Sequence, residues 1–417
     1  MAKMNFTLFW TLALICLSRN TDGKAKSRTL SDVDKKLKLL NKPAVKSIMS
    51  EDGDIIDCVD IHKQPAFDNP ALRSHVIQMK PSIDARTENM GNSNQIFQTW
   101  QRSGTCPEGT IPIRRIRKQD LHRAAASLEP FGRKASHYTS DQRELNGNHS
   151  TEANTTQVVV ARTTPNRSTA YLVTVGYNYI GASGEINVWN PKVDSPDDFT
   201  TAQIWLRGGP GDNFESIESG WAVNPKLYGD TRTRFFAYWT KDAYKQTGCF
   251  DLTCSGFIQT SSQVALGAAI EPISSKSGQQ YQVPVGIFMD INTSNWWLRF
   301  NEIDVGYWPA GSMLFYLNHS STLVQWGGDV YSKNVMKNPH TKTEMGSGEF
   351  AADLSGGACF ILHVRIMDFS RTLKYPEWVG TWSDEPHCYS SLNLAGYSVE
   401  PVFYFGGPGG GRYADCP

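Results

Sequence analysis

Two carboxylates, each on a stretch rich in glycine and tryptophan, are the residues best suited to chemistry. Glu218 lies in residues 214–228, FESIESGWAVNPKLY. Strand alternation puts Ile217, Ser219, Trp221 and Val223 on one face. Glu218 then shares the other with Ser216, Gly220 and Ala222, whose small size leaves space that a substrate could fill. Asp329 lies in residues 323–331, LVQWGGDVY, and alternation groups it with Gln325 and Gly327. Taken singly, each is an ordinary solvated carboxylate on a half-buried strand. Taken together, they are a pair that can divide acid and base duties if their environments separate their proton affinities. The sequence leaves open whether the two meet in space.

The elements that must position them are strands. Beyond Arg167 the segments AYLVTVGYNYIGA, TAQIWL, RFFAYW, GFIQT, QVALGAAI, VPVGIFMDI, WWLRF, DVGYWP and LVQWGGDVY alternate with Gly, Pro, Asn and Asp turns. Short strands with regular punctuation predict an all-β antiparallel sandwich. Ahead of it, residues 52–82 are broken by Pro65, Pro70 and Pro81, which predicts short strands and turns in a small mixed unit. Ser31, Asp34 and the spacing of Val33, Leu37 and Leu40 predict a helix that Pro43 stops. From about Gly132 to Pro165 the chain turns polar, as an exposed linker would.

The whole chain sets bounds on partners. It has 417 residues, with 41 Lys+Arg balanced by 41 Asp+Glu, so nothing argues for nucleic acid or an anionic membrane as partner. Residues 1–23 read as a secretory signal, with Lys3 ahead of a short apolar run. Export fits cysteine usage: seven remain after Cys16 leaves with the signal, and disulfides form outside the cytosol. Cys249 and Cys254 are close enough to staple a tight loop. Asn148, Asn154, Asn166, Asn292 and Asn318 are N-x-S/T glycan acceptors. There is no HExxH, CxxC pair, GxxxxGK[ST] or GxSxG. No metal or other cofactor is therefore expected, and the GGPG runs at Gly208 and Gly406 read as turns.

The residues also match a known family. CVDIHKQPAFDNPALRSHVIQMKPS resembles the neprosin activation peptide. GPGDNFESIESGWAVNPKLYGDTRTRFFAYWTKDAYKQTGCFDLTCSGFIQT, NWWLRF, VGYWP, VQWGGDVY and HTKTEMGSG resemble the neprosin catalytic domain. The resemblance covers nearly everything after the signal. It implies a secreted plant zymogen with a pro-domain and a catalytic sandwich. Together with the composition, this divides the chain into a signal over 1–23, a pro-domain over 24–131, a linker over 132–165 and a sandwich over 166–417. It further implies a glutamic endopeptidase that cleaves after proline at acid pH and is inhibited by its own pro-domain. The family's S-I-E-x-G-W glutamate falls on Glu218. Its G-G-E glutamate falls on Asp329, one methylene shorter. Glu344, in TEMGSG, is a further carboxylate that lies off the motif.

In such a site two adjacent carboxylates resist double ionisation and titrate as a unit. The ionised member takes a proton from water, and the protonated member gives one to the leaving nitrogen. Gln325 is expected to polarise the scissile carbonyl, and Trp221 and Trp326 to stack on a proline ring, unless they are core residues. Disulfides are expected at Cys58–Cys106, Cys249–Cys254 and Cys388–Cys416, with Cys359 a buried free thiol. The expected location is the cell wall or apoplast, with the vacuole as the alternative. The competing reading is a catalytically inert sandwich that binds wall peptides or glycans through an aromatic groove.

Overall fold

The computed structural model describes residues 33–82, 96–125, 132, 134, 166–396, 399–412 and 414–416. The expected signal therefore lies outside the described residues, as do Asn148, Asn154 and most of residues 132–165.

Two antiparallel sheets form a sandwich. In the seven-stranded sheet the order is Cys249–Phe250, Arg234–Thr240, Glu215–Val223, Phe199–Gly208, Ser321–Tyr331, Arg167–Tyr179 and Gly380–Ser383. The facing sheet runs Ile258–Gln259, Ile303–Pro309, Asn295–Phe300, Gln282–Asp290, Gly181–Asn187, Cys359–Met367, Val399–Gly406 and Ser390–Gly396, with Leu373–Lys374 beside Cys359–Met367. The strands are rich in Val, Ile, Trp, Phe and Tyr, which suit a pleated buried surface. Between the sheets lie Ile204, Leu206, Ile217, Trp221, Val285, Ile287, Val324, Trp326 and Ile361, in one apolar cluster. Helices after Arg167 are short among the described residues, such as Pro225–Tyr228 and Ala310–Met313.

The N-terminal unit is mixed. Residues 33–40 are helical. Ala44–Met49, Ile55–Asp60 and Thr110–Arg114 make a three-stranded sheet, followed by the helix Lys118–Ala125. This unit does not stand apart. Val59, Ile61, Ile111 and Ile113 belong to the same apolar cluster as the sandwich core. Phe97–Gln98 pairs as a strand with Ile270–Glu271. Gln64 and Gln98 each exchange a pair of hydrogen bonds with the backbone of Gln259 and Ala265 respectively.

Disulfides link Cys58–Cys106, Cys249–Cys254 and Cys388–Cys416, and Cys359 is free and buried. Asn292 is exposed, while Asn166 and Asn318 are half-buried. One expectation fails at the start of the supposed exposed linker. Gly132 and Lys134 are both buried. Gly132 accepts a hydrogen bond from Phe250 N, and Lys134 N donates to the Tyr238 hydroxyl, so this piece of chain lies against the edge of the seven-stranded sheet. Polarity suggested solvent, but Lys134 has a carboxylate to meet.

Candidate active site

Glu218 and Asp329 both stand on the face of the seven-stranded sheet that points away from its partner sheet. Alternation sends Trp221 and Val324 inward, so Glu218, Gln325 and Asp329 must point outward. The strand Phe199–Gly208 lies between their two strands. Trp205 is level with both Glu218 and Gln325, and Thr201 is level with Asp329. Such a face would normally be wet. Here Glu218 is 0% and Asp329 1% exposed, because other groups cover them.

The main cover is Lys134. Its ammonium hydrogen-bonds Glu218 Oε2 and lies 3.9 Å from Asp329 Oδ2, so one cation bridges both carboxylates. Four rings cage it, with centroids 4.9 Å (Tyr238), 5.5 Å (Tyr244), 5.7 Å (Phe250) and 5.9 Å (Phe236) away. Aromatic faces favour a desolvated cation, which offsets part of the cost of burying it.

Each carboxylate has further donors. Glu218 accepts from Gln203 Nε2 at 2.6 Å, Ser216 Oγ at 3.0 Å and the Tyr244 hydroxyl at 2.5 Å. Gln203 is fixed in turn, because its carbonyl accepts from Thr201 Oγ1 at 2.7 Å. Asp329 is gripped by Arg167 through both carboxylate oxygens, with Nε 3.2 Å from Oδ1 and Nη2 bonded to Oδ2. Burial alone would raise the pKa of Glu218. The charges of Lys134 and Arg167, with the hydrogen bonds from Lys134 and Tyr244, outweigh it and hold the carboxyl below its ordinary value. Burial pushes the Lys134 ammonium down, against the pull of Glu218. Burial and the neighbouring Glu218 charge raise the Tyr244 phenol well above its usual range.

The other expected site residues divide. Gln325 is on the site face, where its carbonyl is 3.4 Å from Arg207 Nη1. Trp221 and Trp326 are not. Both are 0% exposed in the sandwich core, and their indole N–H groups donate to Asn187 O and Ser183 O of the facing sheet. The alternation that points Glu218 and Asp329 outward forces these two rings inward, so neither can stack on a substrate. Glu344 is elsewhere, accepting from Lys192 N at 2.7 Å. His340, Cys388 and Cys416 bring their ligand atoms within 4.8 Å of one another, but both sulfurs are spent in a disulfide and offer no thiolate.

Sequence reasoning missed Lys134, Arg167, Gln203 and Tyr244. Gln203 had a signal, since alternation in TAQIWLRG sets it on one face with Trp205 and Arg207. What was lacking was the register that brings it beside Glu218. Tyr244 and Lys134 sit on irregular chain, where no period applies.

The chain matches the neprosin activation peptide over residues 47–161 and neprosin over residues 196–408. Lys134 therefore falls within the activation peptide and Glu218 and Asp329 within the neprosin segment. Among solved structures, the chain is similar to Scytalido-glutamic peptidase bound to a peptide-based transition state analog. That match has 10% identity and a TM-score of 0.29, covering 58% of this chain and 97% of that one. It is also similar to SCP-B, a member of the Eqolisin family of peptidases, at 9% identity and a TM-score of 0.29, covering 58% and 97%. A third likeness is to CG-16, a homodimeric agglutinin from chicken liver, at 8% identity and a TM-score of 0.21, covering 38% and 95%. With both segments matched in order, the chain belongs to the neprosin family and carries that family's activation peptide ahead of its neprosin domain.

Proposed function

We propose that this chain is a secreted glutamic-type endopeptidase, made as a zymogen, that hydrolyses peptide bonds after proline at acid pH. Glu218 and Asp329 are its acid–base pair. The observation that carries the reading is the Lys134 ammonium, supplied by the activation peptide and set against both carboxylates. An inhibitory segment has reason to place a cation where a working enzyme keeps two acids.

Withdrawal of Lys134 would uncover both carboxylates to a peptide bond and a water. The ionised member of the pair takes a proton from the water as its oxygen attacks the carbonyl carbon. The protonated member gives its proton to the amide nitrogen as the carbon–nitrogen bond breaks. Gln203 and Tyr244, which already donate to Glu218, orient that carboxyl. Gln325 is the donor proposed for the developing oxyanion. Proline selectivity rests on the family resemblance, since the two tryptophans expected to grip the ring lie in the core.

The test is incubation of the full-length chain at about pH 3 to 5, around the ordinary carboxyl range. A proline-containing peptide is the substrate and mass spectrometry the readout. Cleavage on the C-terminal side of proline is expected. An intact peptide across the whole range overturns the reading in favour of an inert binding module.

A further inference from the structure

Arg207 stands on the same face as Glu218 and has no carboxylate partner among the described residues. The other two cations of the site are neutralised, Lys134 by Glu218 and Arg167 by Asp329. A guanidinium has five N–H donors and cannot shed its charge. Of these, Arg207 uses one in a long 3.4 Å contact to Gln325, and its Nε is buried with no hydrogen-bond partner. The guanidinium carbon lies 3.6 Å from the centroid of the Phe214 ring, which roofs one side of the plane. A buried polar group left unpaired is costly and needs a reason.

Its position supplies one. Arg207 is level with Ser216, as Trp205 is with Glu218, so it lies one same-face step beyond Glu218. On the strand Ser321–Tyr331 it is level with Leu323, whereas Asp329 lies in the opposite direction from Gln325. A same-face step along a strand is about 6.8 Å, roughly two residues of an extended peptide. A substrate strand crossing Glu218 would thus bring a side chain near Arg207 within about two residues of the bond being cut.

We propose that Arg207 and Phe214 form a subsite for a carboxylate of the substrate, an Asp or Glu side chain close to the scissile bond. A planar carboxylate can take two parallel N–H bonds from the free edge of the guanidinium while Phe214 covers its face. The paired cations cannot take this role without releasing their own carboxylates. Burial lowers the pKa of Arg207, in keeping with a cation that lacks its counter-ion. The inference builds on the peptidase reading for its turnover arm and not for its binding arm.

The experiment uses the full-length chain after acid treatment, assayed at about pH 5, where a peptide glutamate is mostly ionised. Fluorescein-labelled proline peptides differ at one position near the proline, Glu against Gln. A second pair differs by a free or amidated C-terminus. Anisotropy with Glu218→Gln protein reads binding, and mass spectrometry with unaltered protein reads turnover. The expected result is a preference of about tenfold or more for Glu over Gln, in the range of a charge-assisted hydrogen bond. Arg207→Gln should erase that preference and Arg207→Lys should keep part of it. Preference in binding with no turnover of any peptide would leave the subsite standing and sink the peptidase reading. Turnover with equal use of Glu and Gln peptides overturns the subsite, as does a preference that follows the free C-terminus instead. The Glu–Gln comparison needs no Arg207 variant, and its turnover arm uses unaltered protein, so a poorly folding Arg207→Gln protein does not spoil the test.

Discussion

In the proposed mechanism, Asp329 is the carboxylate that limits the rate. Aspartate is one carbon–carbon bond shorter than glutamate, about 1.5 Å, and here its two oxygens are taken by Arg167. Misplacement of about 1 Å can cost about a hundredfold in rate. Asp329→Glu is therefore expected to raise peptidase activity by about one to two orders of magnitude at acid pH. Glu218→Gln should abolish it, because an amide cannot take a proton from water. Cleavage rates of one proline-containing peptide by the three proteins check both statements. An Asp329→Glu rate equal to that of the unaltered chain would mean that Asp329 does not limit the reaction. Lys134 gives a second prediction at this scale. The pKa of Glu218 is depressed in the latent state. The stability it lends to latency is full above its ordinary value and is lost as pH falls through the depressed one. Latency should hold at neutral pH and fail in acid, below the usual glutamate range. Lys134→Met removes the ion-pair partner and leaves buried Glu218 with its donors Gln203, Ser216 and Tyr244, at a cost of up to about 3 to 5 kcal/mol. Its activation midpoint, read as activity recovered after incubation at stepped pH, should move upward. An unchanged midpoint would show that Lys134 is a bystander.

At the scale of the element, the site depends on how closely two strands approach. Gly220 follows Glu218 by two residues on the same face. A Cβ built there would be 2.0 Å from Ala202 O and 2.6 Å from Gln203 Cα. The small residue thus serves backbone approach rather than substrate room, and it brings Gln203 up to Glu218. Gly220→Ala must push the strands Glu215–Val223 and Phe199–Gly208 apart. Overpacking of this kind costs about 1 to 3 kcal/mol, and the Gln203–Glu218 geometry would go with it. A lower melting temperature is expected together with a loss of activity larger than the loss of folded protein. Normal specific activity in the folded fraction would argue against Gly220 as a spacer for the site. This element also shows what was legible in the sequence. Alternation alone put Glu218 and Trp221 on opposite faces, and Gln325 and Asp329 on one. Which face is the core is decided by the partner sheet, through contacts such as Trp221 to Asn187. Register was likewise hidden, since pairing Trp205 with Glu218 joins strands whose turn could have closed in several ways. Lys134 was invisible because nothing in local composition records a partner 84 positions away.

For the whole molecule, the question is how an activation peptide that shares the sandwich core can ever leave. Apolar contacts such as those of Ile111 and Ile113 do not respond to acid, but the polar seam around Arg234 does. Arg234 belongs to the neprosin segment, is 0% exposed, and is held by Asp54 of the activation peptide and by Asp230. Arg114 also bonds Asp54 at 3.2 Å and donates to Tyr228 O at 2.8 Å. Asp52 O accepts from Arg232 at 2.7 Å. Burial works to raise the pKa of Asp52, but hydrogen bonds from Thr99 and the Asp54 backbone, with Ser50 and the Arg234 charge, bring it below the ordinary value. Asp230 is likewise held down by Arg234 against the effect of burial. Groups of this kind lend stability above the ordinary aspartate range that is lost as pH falls through their depressed values. Of these groups only Asp52 feels a charge across the boundary, that of Arg234, so its protonation in acid should weaken that attraction as Glu218 is freed from Lys134. Asp54→Asn deprives Arg234 and Arg114 of a shared counter-charge while preserving shape. The variant should release its activation peptide at higher pH than the unaltered chain. At neutral pH it should also melt at lower temperature, because two buried or half-buried guanidinium groups lose a counter-charge. Both are read from one pH series of melting curves and activation assays. A variant whose activation midpoint stays fixed while its melting temperature falls at every pH would assign Asp54 to general stability. Release would then be governed by Lys134 and Glu218 alone.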